Sequence, residues 1–186
     1  MILETIISTV NEKGVVNFAP FGITKDKNYI YISPYIPSTT LNNLKNSKCA
    51  AVNYINDAGI FVNCLIGNKK FKKKKCNIIN CFYLEHSISH QEIVVKSIKE
   101  HEIRPTFKCK IIKTFSHENF QGFNRAQSSI IEACILASRI NLLDKDKVIK
   151  DLNFLSVAVN KTGGKRELDA WKKINLFILD EFKKKN

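Results

Sequence analysis

Three consecutive hydroxyl residues, Ser38, Thr39 and Thr40, stand where the apolar run Tyr29 to Ser33 gives way to Leu41 and Leu44 at helical spacing. A helix start presents free backbone N–H groups and the positive end of the helix dipole, so it attracts anions, and nearby hydroxyls add donors. Capping accounts for one hydroxyl and not three. The segment Ser33-Pro34-Tyr35-Ile36-Pro37-Ser38-Thr39-Thr40 is therefore a candidate phosphate site, with an ordinary Ser cap as the alternative. Upstream, Asn17-Phe18-Ala19-Pro20-Phe21-Gly22 reads as a strand end entering an apolar turn. Pro20 lacks a donor and Gly22 permits close backbone approach, which suits a flat aromatic ligand or a hairpin corner.

Lys69 to Lys75 is the sharpest charge feature, with six lysines around Phe71. Such a loop can grip a polyanion or be a solvated surface. No helix-turn-helix, RNA-recognition signature or zinc finger accompanies it, so nucleic-acid binding stays the alternative reading. His86 and His90 lie where a strand or turn is expected, His101 and His117 are isolated, and all four read as surface residues. A zinc site from Cys76, Cys81, His86 and His90 matches no closed ligand spacing, and no metal is expected. No phosphate loop, dinucleotide fingerprint or Ser/His/Asp order is present, so catalytic residues stay unassigned and any chemistry must come from a cofactor.

The elements that must position these residues change character along the chain. Ile2 to Val10 has apolar residues that fit either a helix or a strand, and its β-branched content favours a strand. Val15 to Ala19, Tyr29 to Ser33, Lys48 to Ile55, Asn77 to His86 and Arg104 to Phe115 also read as strands, and Gln91 to Glu102 leans the same way. Asn56-Asp57-Ala58-Gly59 reads as a hairpin loop into a strand over Ile60 to Ile66, and a phase slip at Ile112 suggests a bulge. Pro37 to Lys45 is the one early helix. Arg125 to Leu143, Lys145 to Val159 and Lys165 to Phe182 then repeat apolar residues at helical spacing. Strands followed by helices give an α+β class, with an antiparallel barrel closed or nearly closed to hide its edges.

The chain has 186 residues and a net charge of +13, enough length for a core without covalent staples. No apolar run suits a membrane span, and the first residues lack a basic leader, so a cytoplasmic protein is expected. The six cysteines include no close pair of redox type, and thiols rather than disulfides are expected. Only four of the 30 basic residues are arginine, a bias toward Lys that weakens the charge as a functional signal.

Several of these residues, taken in order, resemble a family. Asn17-x-Ala19-Pro20-x-Gly22, Ser33-Pro34, Ser38-x-Thr40-x-x-Asn43-Leu44 and Val52-Asn53 with Asp57 and Phe61 look like the archaeal-type Domain of Unknown Function 447. Asn124-Arg125-Ala126, Ile131-Glu132-Ala133, Ser138-Arg139 and Lys161-Thr162-Gly163-Gly164-x-x-Glu167 extend the resemblance through the C-terminal half. It implies an FMN-binding split β-barrel over residues 1–118. A helical subdomain over 119–186 would pack on the barrel or on a homodimer partner. Ser38, Thr39, Thr40 and Asn43 would hold the FMN phosphate, Phe21, Gly22 and Ser33 would lie along the isoalloxazine, and Asn53 would close the pocket. Arg125, and with it Arg139, would contact phosphate or an anionic small-molecule substrate. The implied activity is that of a flavin-dependent oxidoreductase, with a pterin or other one-carbon carrier as the substrate class.

Overall fold

A computed structural model describes residues 1–184. By their internal contacts these divide into two compact units, one of Met1–Ile55 and Lys69–Phe120, the other of Asn56–Asn68 and the described residues from Gln121 on.

The first unit is a closed six-stranded antiparallel barrel in the order β1-β2-β3-β8-β7-β4. Its strands are β1 (Ile2–Val10), β2 (Val16–Asp26), β3 (Tyr29–Ile32), β4 (Cys49–Tyr54), β7 (Ser89–Lys99) and β8 (Thr106–Ser116). A separate two-stranded sheet pairs β5 (Lys73–Lys75) with β6 (Phe82–Leu84). Ile7, Ile23, Ile30, Ile32, Val52, Ile93, Phe107 and Cys109 form one core, and Leu41 and Leu44 of α1 (Thr39–Ser47) pack into it.

A second, smaller cluster gathers Val10, Cys49, Ala51, Cys76, Ile79 and Cys81. Successive residues of β4 thus serve different cores: Ala50 and Val52 the first, Cys49 and Ala51 the second. β1 is buried at every position from Thr5 to Val10 for the same reason. Its pattern imitates a helix because both faces are covered, not one.

Two expected turns are regular structure. Phe21 and Gly22 lie inside β2, opposite Thr5 and Glu4, and not in a turn. Pro20 is tolerated there because β2 pairs with β3 only from Thr24 to Asp26, leaving the other edge of Pro20 without a ladder partner. Asp57 caps α2 (Ala58–Leu65) by accepting the Gly59 N–H at 2.8 Å, so the expected hairpin and strand over Asn56 to Ile66 are a capped helix. A short apolar run without polar alternation does not distinguish the two. The lysine-rich segment is likewise not all loop, since Lys73 to Lys75 form β5. The bulge is where the phase slip put it: Ile93 pairs with Ile111 and Glu92 with Lys113, which skips Ile112.

The second unit combines α2 with α3 (Arg125–Ser138), α4 (Lys145–Thr162) and α5 (Lys165–Lys183). Asn124 and Asp144 cap α3 and α4; Ala126, Ile130 and Ala133 of α3, Val148 and Leu152 of α4, and Ile174 and Ile178 of α5 are buried along apolar stripes. Among the described residues, no helix is long and apolar enough to cross a membrane. All six cysteines are buried thiols outside any disulfide.

Candidate functional site

The start of α1 is built as the sequence suggests, with the three hydroxyls in different environments. Ser38 is the N-cap, its Oγ accepting the Leu41 N–H at 3.2 Å. Thr39 is exposed, whereas Thr40 is buried and its Oγ1 accepts from Asn17 Nδ2 at 3.1 Å. The Asn17 Oδ1 in turn accepts from Lys69 Nζ at 3.2 Å, which brings the first lysine of the basic segment beside the helix start. Phe71 is anchored nearby on Phe18, edge to face at 5.5 Å. One turn on, the buried Asn43 donates to Thr9 Oγ1 at 3.0 Å. The arrangement can offer the exposed Thr39, the half-buried Ser38 and a lysine to an anion, while Thr40 and Asn43 fasten α1 to the barrel. Ser38→Ala removes the cap and is expected to lower stability by about 0.5–2 kcal/mol in urea unfolding.

Gly22 and Ser33 meet elsewhere. Together with Ile2, Thr24, Tyr31, His101, Arg104 and Thr106 they line an open depression of about 400 Å³. A Cβ at Gly22 would lie 2.9 Å from Ile2 Cγ2 and 3.2 Å from Glu4 Oε1, so the bare backbone there is part of the cavity's shape. Ser33 Oγ is 2.9 Å from Thr106 Oγ1, and the Ser33 carbonyl accepts from Arg104 Nε at 2.7 Å. The Arg104 guanidinium stacks over Tyr35 at 4.9 Å. Phe21 is half-buried against the barrel core, its carbonyl accepting from Thr5 Oγ1 at 3.0 Å. Along β2, Gly22 and Asn17 are separated by about 17 Å at the usual strand rise, so the depression and the helix start are two stations of one strand.

Asn53 serves neither station. Its amide is fully buried, with Nδ2 donating to the Ile6 carbonyl at 2.8 Å and to Ser8 Oγ at 2.7 Å. Its Oδ1 accepts from the Leu84 N–H at 2.8 Å and from Ser87 Oγ at 3.3 Å. It ties β1, β4 and β6 together. Arg125 is the first residue of α3, exposed in the second unit, and Arg139 caps the other end of that helix. The neighbouring motif residues are joined structurally: Asn124 Nδ2 donates to the Thr162 carbonyl at 3.0 Å and Gln127 donates to Glu167 at 2.6 Å. At Gly163 a Cβ would sit 2.7 Å from the Val159 carbonyl, so the α4–α5 turn needs glycine.

A third assembly is only partly visible in the sequence, where Cys76 and His90 stand beside His86 and Glu92 does not figure. His90 is fully enclosed, against the expectation of a surface residue, and lies 2.8 Å from His117 through Nδ1 and Nε2. Its ring stacks on Tyr83 at 4.0 Å and near Phe115 at 4.9 Å. Its Nε2 faces Glu92 Oε1 at 3.5 Å, and Cys76 Sγ belongs to the same group. Glu92 is wholly buried yet satisfied, accepting the N–H groups of Asn77, Ile78 and Ile79 at 2.7, 2.8 and 2.9 Å. Burial alone would raise this carboxyl, but those donors outweigh it and hold its pKa below the usual value. Burial pushes the His90 imidazole down. A hydrogen bond between the thiols of Cys76 and Cys81 moves them apart, Cys76 up and Cys81 down. The available signal was the His90-x-Glu92 spacing, which places two side chains on one face of a strand. The strand expected from Gln91 excludes His90, whereas β7 begins at Ser89. Arg104 was also missed, although an arginine in so lysine-biased a chain marks a site for planar, directional contacts.

Two family models cover most of the chain. Residues 3–118 match the N-terminal domain of the protein of unknown function DUF447, and residues 124–175 match a second DUF447 model. Among solved structures, an FMN-bound DUF447 protein from Methanosarcina mazei superposes with a TM-score of 0.80 at 21% identity, covering 95% of this chain and 94% of that one. Flavoredoxin from Methanosarcina acetivorans has a TM-score of 0.55 at 14% identity, over 65% of this chain and 72% of that one. Nitrilotriacetate monooxygenase component B from Bacillus cereus has a TM-score of 0.54 at 15% identity, over 67% and 75%. No curated protein matches significantly. These likenesses establish the fold as a split barrel of the flavin-reductase-like type with a C-terminal helical region.

Proposed function

The chain belongs to the DUF447 family, and on that premise we propose that it is an FMN-binding flavoprotein acting as a flavin-dependent oxidoreductase. The observation that supports this most is the correspondence, over 95% of the chain, with an FMN-bound protein assigned to the same family. The residues present fit the cofactor. Ser38, Thr39 and the free N–H groups of the α1 start, with Lys69 alongside, suit a phosphate. The Gly22–Ser33 depression, with no side chain on one wall and Arg104 on another, suits a flat ring system. Bound FMN supplies the hydride or electron chemistry. The chain's own part is to bind the phosphate, orient the ring against β2 and place His101 and Arg104 at the open face.

An anionic small molecule is the substrate class that the +13 charge favours, a pterin or other one-carbon carrier being the first to test. The active form in this reading is a homodimer, with Arg125 available to phosphate or substrate. Purified protein is expected to be yellow and to release free FMN on heat denaturation. Thr39→Ala and Lys69→Gln should each weaken FMN by about tenfold or more, as charge-assisted hydrogen bonds are worth about 1.5–3 kcal/mol. Colourless protein that also fails to bind added FMN overturns the reading. Unchanged affinity in both variants removes the phosphate from the α1 start.

A further inference from the structure

We propose that Cys76, His90 and Glu92 form a site for a borderline-soft divalent cation of the zinc class. The Cys76 Sγ, a ring nitrogen of His90 and a carboxylate oxygen of Glu92 lie within 4.8 Å of one another, and all three residues are buried. Ligands on one tetrahedral ion with bonds of about 2.0–2.3 Å stand about 3.3–3.8 Å apart, so binding would draw the three atoms together by about 1 Å. Cys81 is also fully buried, but its Sγ donates to the Ser8 and Phe82 carbonyls at 3.4 and 3.7 Å and stands outside the three-ligand group. Sulfur, nitrogen and oxygen together select a zinc-like ion and disfavour calcium or magnesium, which take oxygen ligands.

The outer contacts are those that ligands of a metal ordinarily have. One proton must lie between His90 Nδ1 and His117 Nε2, which are 2.8 Å apart. With it on His90, the Nε2 lone pair is bare and faces Glu92 Oε1. Tyr83 and Phe115 hold the ring plane from either side. The Glu92 carboxylate is oriented by three backbone N–H groups, all from the turn between Cys76 and Cys81. Within that turn Asn77, Ile78 and Asn80 are exposed, so its opening gives an ion a way in.

With three buried protein ligands and a water completing its coordination, the bound ion acts as a clamp. It clamps the β5–β6 ribbon, and with it the lysines of β5, onto β7 of the barrel. His86, whose place Glu92 takes in this set, is exposed.

Cobalt(II) is the probe. Chelator-dialysed full-length protein titrated with Co²⁺ should develop the visible d–d bands and thiolate charge-transfer absorption of a tetrahedral sulfur site. These should saturate at a stoichiometric ratio and be bleached by Zn²⁺. Cys76→Ser and, independently, His90→Gln should each abolish the tetrahedral spectrum, with circular dichroism verifying the barrel in each. His117→Ala, which removes only the partner of His90, should weaken Co²⁺ by about 10–100-fold. His86→Ala should change nothing. Absence of saturable absorption in the parent protein overturns the proposal, as does an unaltered spectrum in a folded Cys76→Ser or His90→Gln variant. The reading is separate from FMN binding, since none of these residues lines the Gly22–Ser33 depression.

Discussion

Asn53→Ala is expected to lower the free energy of unfolding by about 3–5 kcal/mol, because several buried groups lose their partner together and each orphaned group costs about 1–3 kcal/mol. The Ile6 carbonyl loses a donor at 2.8 Å, the Leu84 N–H loses an acceptor at 2.8 Å, and Ser8 and Ser87 lose their side-chain contacts. Water cannot replace the amide, since Asn53, Ser8 and Ser87 are all fully buried. Asn53→Asp should not rescue it, as a carboxylate accepts from Leu84 but cannot donate to Ile6. Urea unfolding of the three proteins is the measurement, with a shift in midpoint at constant slope the expected form. A loss under about 1 kcal/mol would mean that β1, β4 and β6 relax around the gap. The same variant separates a structural from a ligand-contacting role. If Asn53 only holds the barrel together, FMN affinity measured at low temperature on folded protein stays at the parent value.

The second large effect is expected at Glu92. Glu92→Ala strands the N–H groups of Asn77, Ile78 and Ile79, which all end on this one carboxylate. Hydrogen bonds to a charged acceptor contribute about 1.5–3 kcal/mol each, and the exposure of Asn77 and Ile78 lets water recover part of the loss. The net expectation is about 3–5 kcal/mol, measured in the presence of a chelator so that no ion contributes. Glu92→Gln should recover part of it, because one amide oxygen still accepts while the NH₂ group faces donors. Hydrogen exchange gives the local signature. The Ile79 amide, protected by Glu92 inside a buried position, should lose protection before the barrel strands do. Simultaneous loss across β1 and β7 would show that the turn and barrel unfold as one unit.

What could be read along the chain was what depends on neighbours in sequence. The strands of the barrel, the caps at Ser38 and Asp144 and the three long C-terminal helices follow from local chemistry and period. So does the bulge at Ile112, because one extra residue shifts the alternation visibly. The α1 start could be read for the same reason, as its hydroxyls and its leucines are adjacent.

Ambiguity set in where a segment is covered on both sides. β1 carries a helix-like pattern because the barrel core takes one face and the Cys76–Cys81 cluster takes the other. In α2 the short run Ile60 to Leu65 shows too few polar residues to reveal its period, and Asp57 serves a turn or a cap equally well. At Phe21 and Gly22 the expected turn is strand because the ladder with Thr5 and Glu4 continues past Pro20, a fact of pairing and not of composition.

The sequence by itself determined the class of fold, the helix start with its free N–H groups and the family likeness, since these rest on residue types at short spacing. Only the tertiary structure decided that Asn53 is a bolt between strands, that Gly22 and Ser33 share a depression with Arg104, and that Cys76 reaches His90 and Glu92. Each of those depends on strand register, and register is set by which faces the whole barrel can bury.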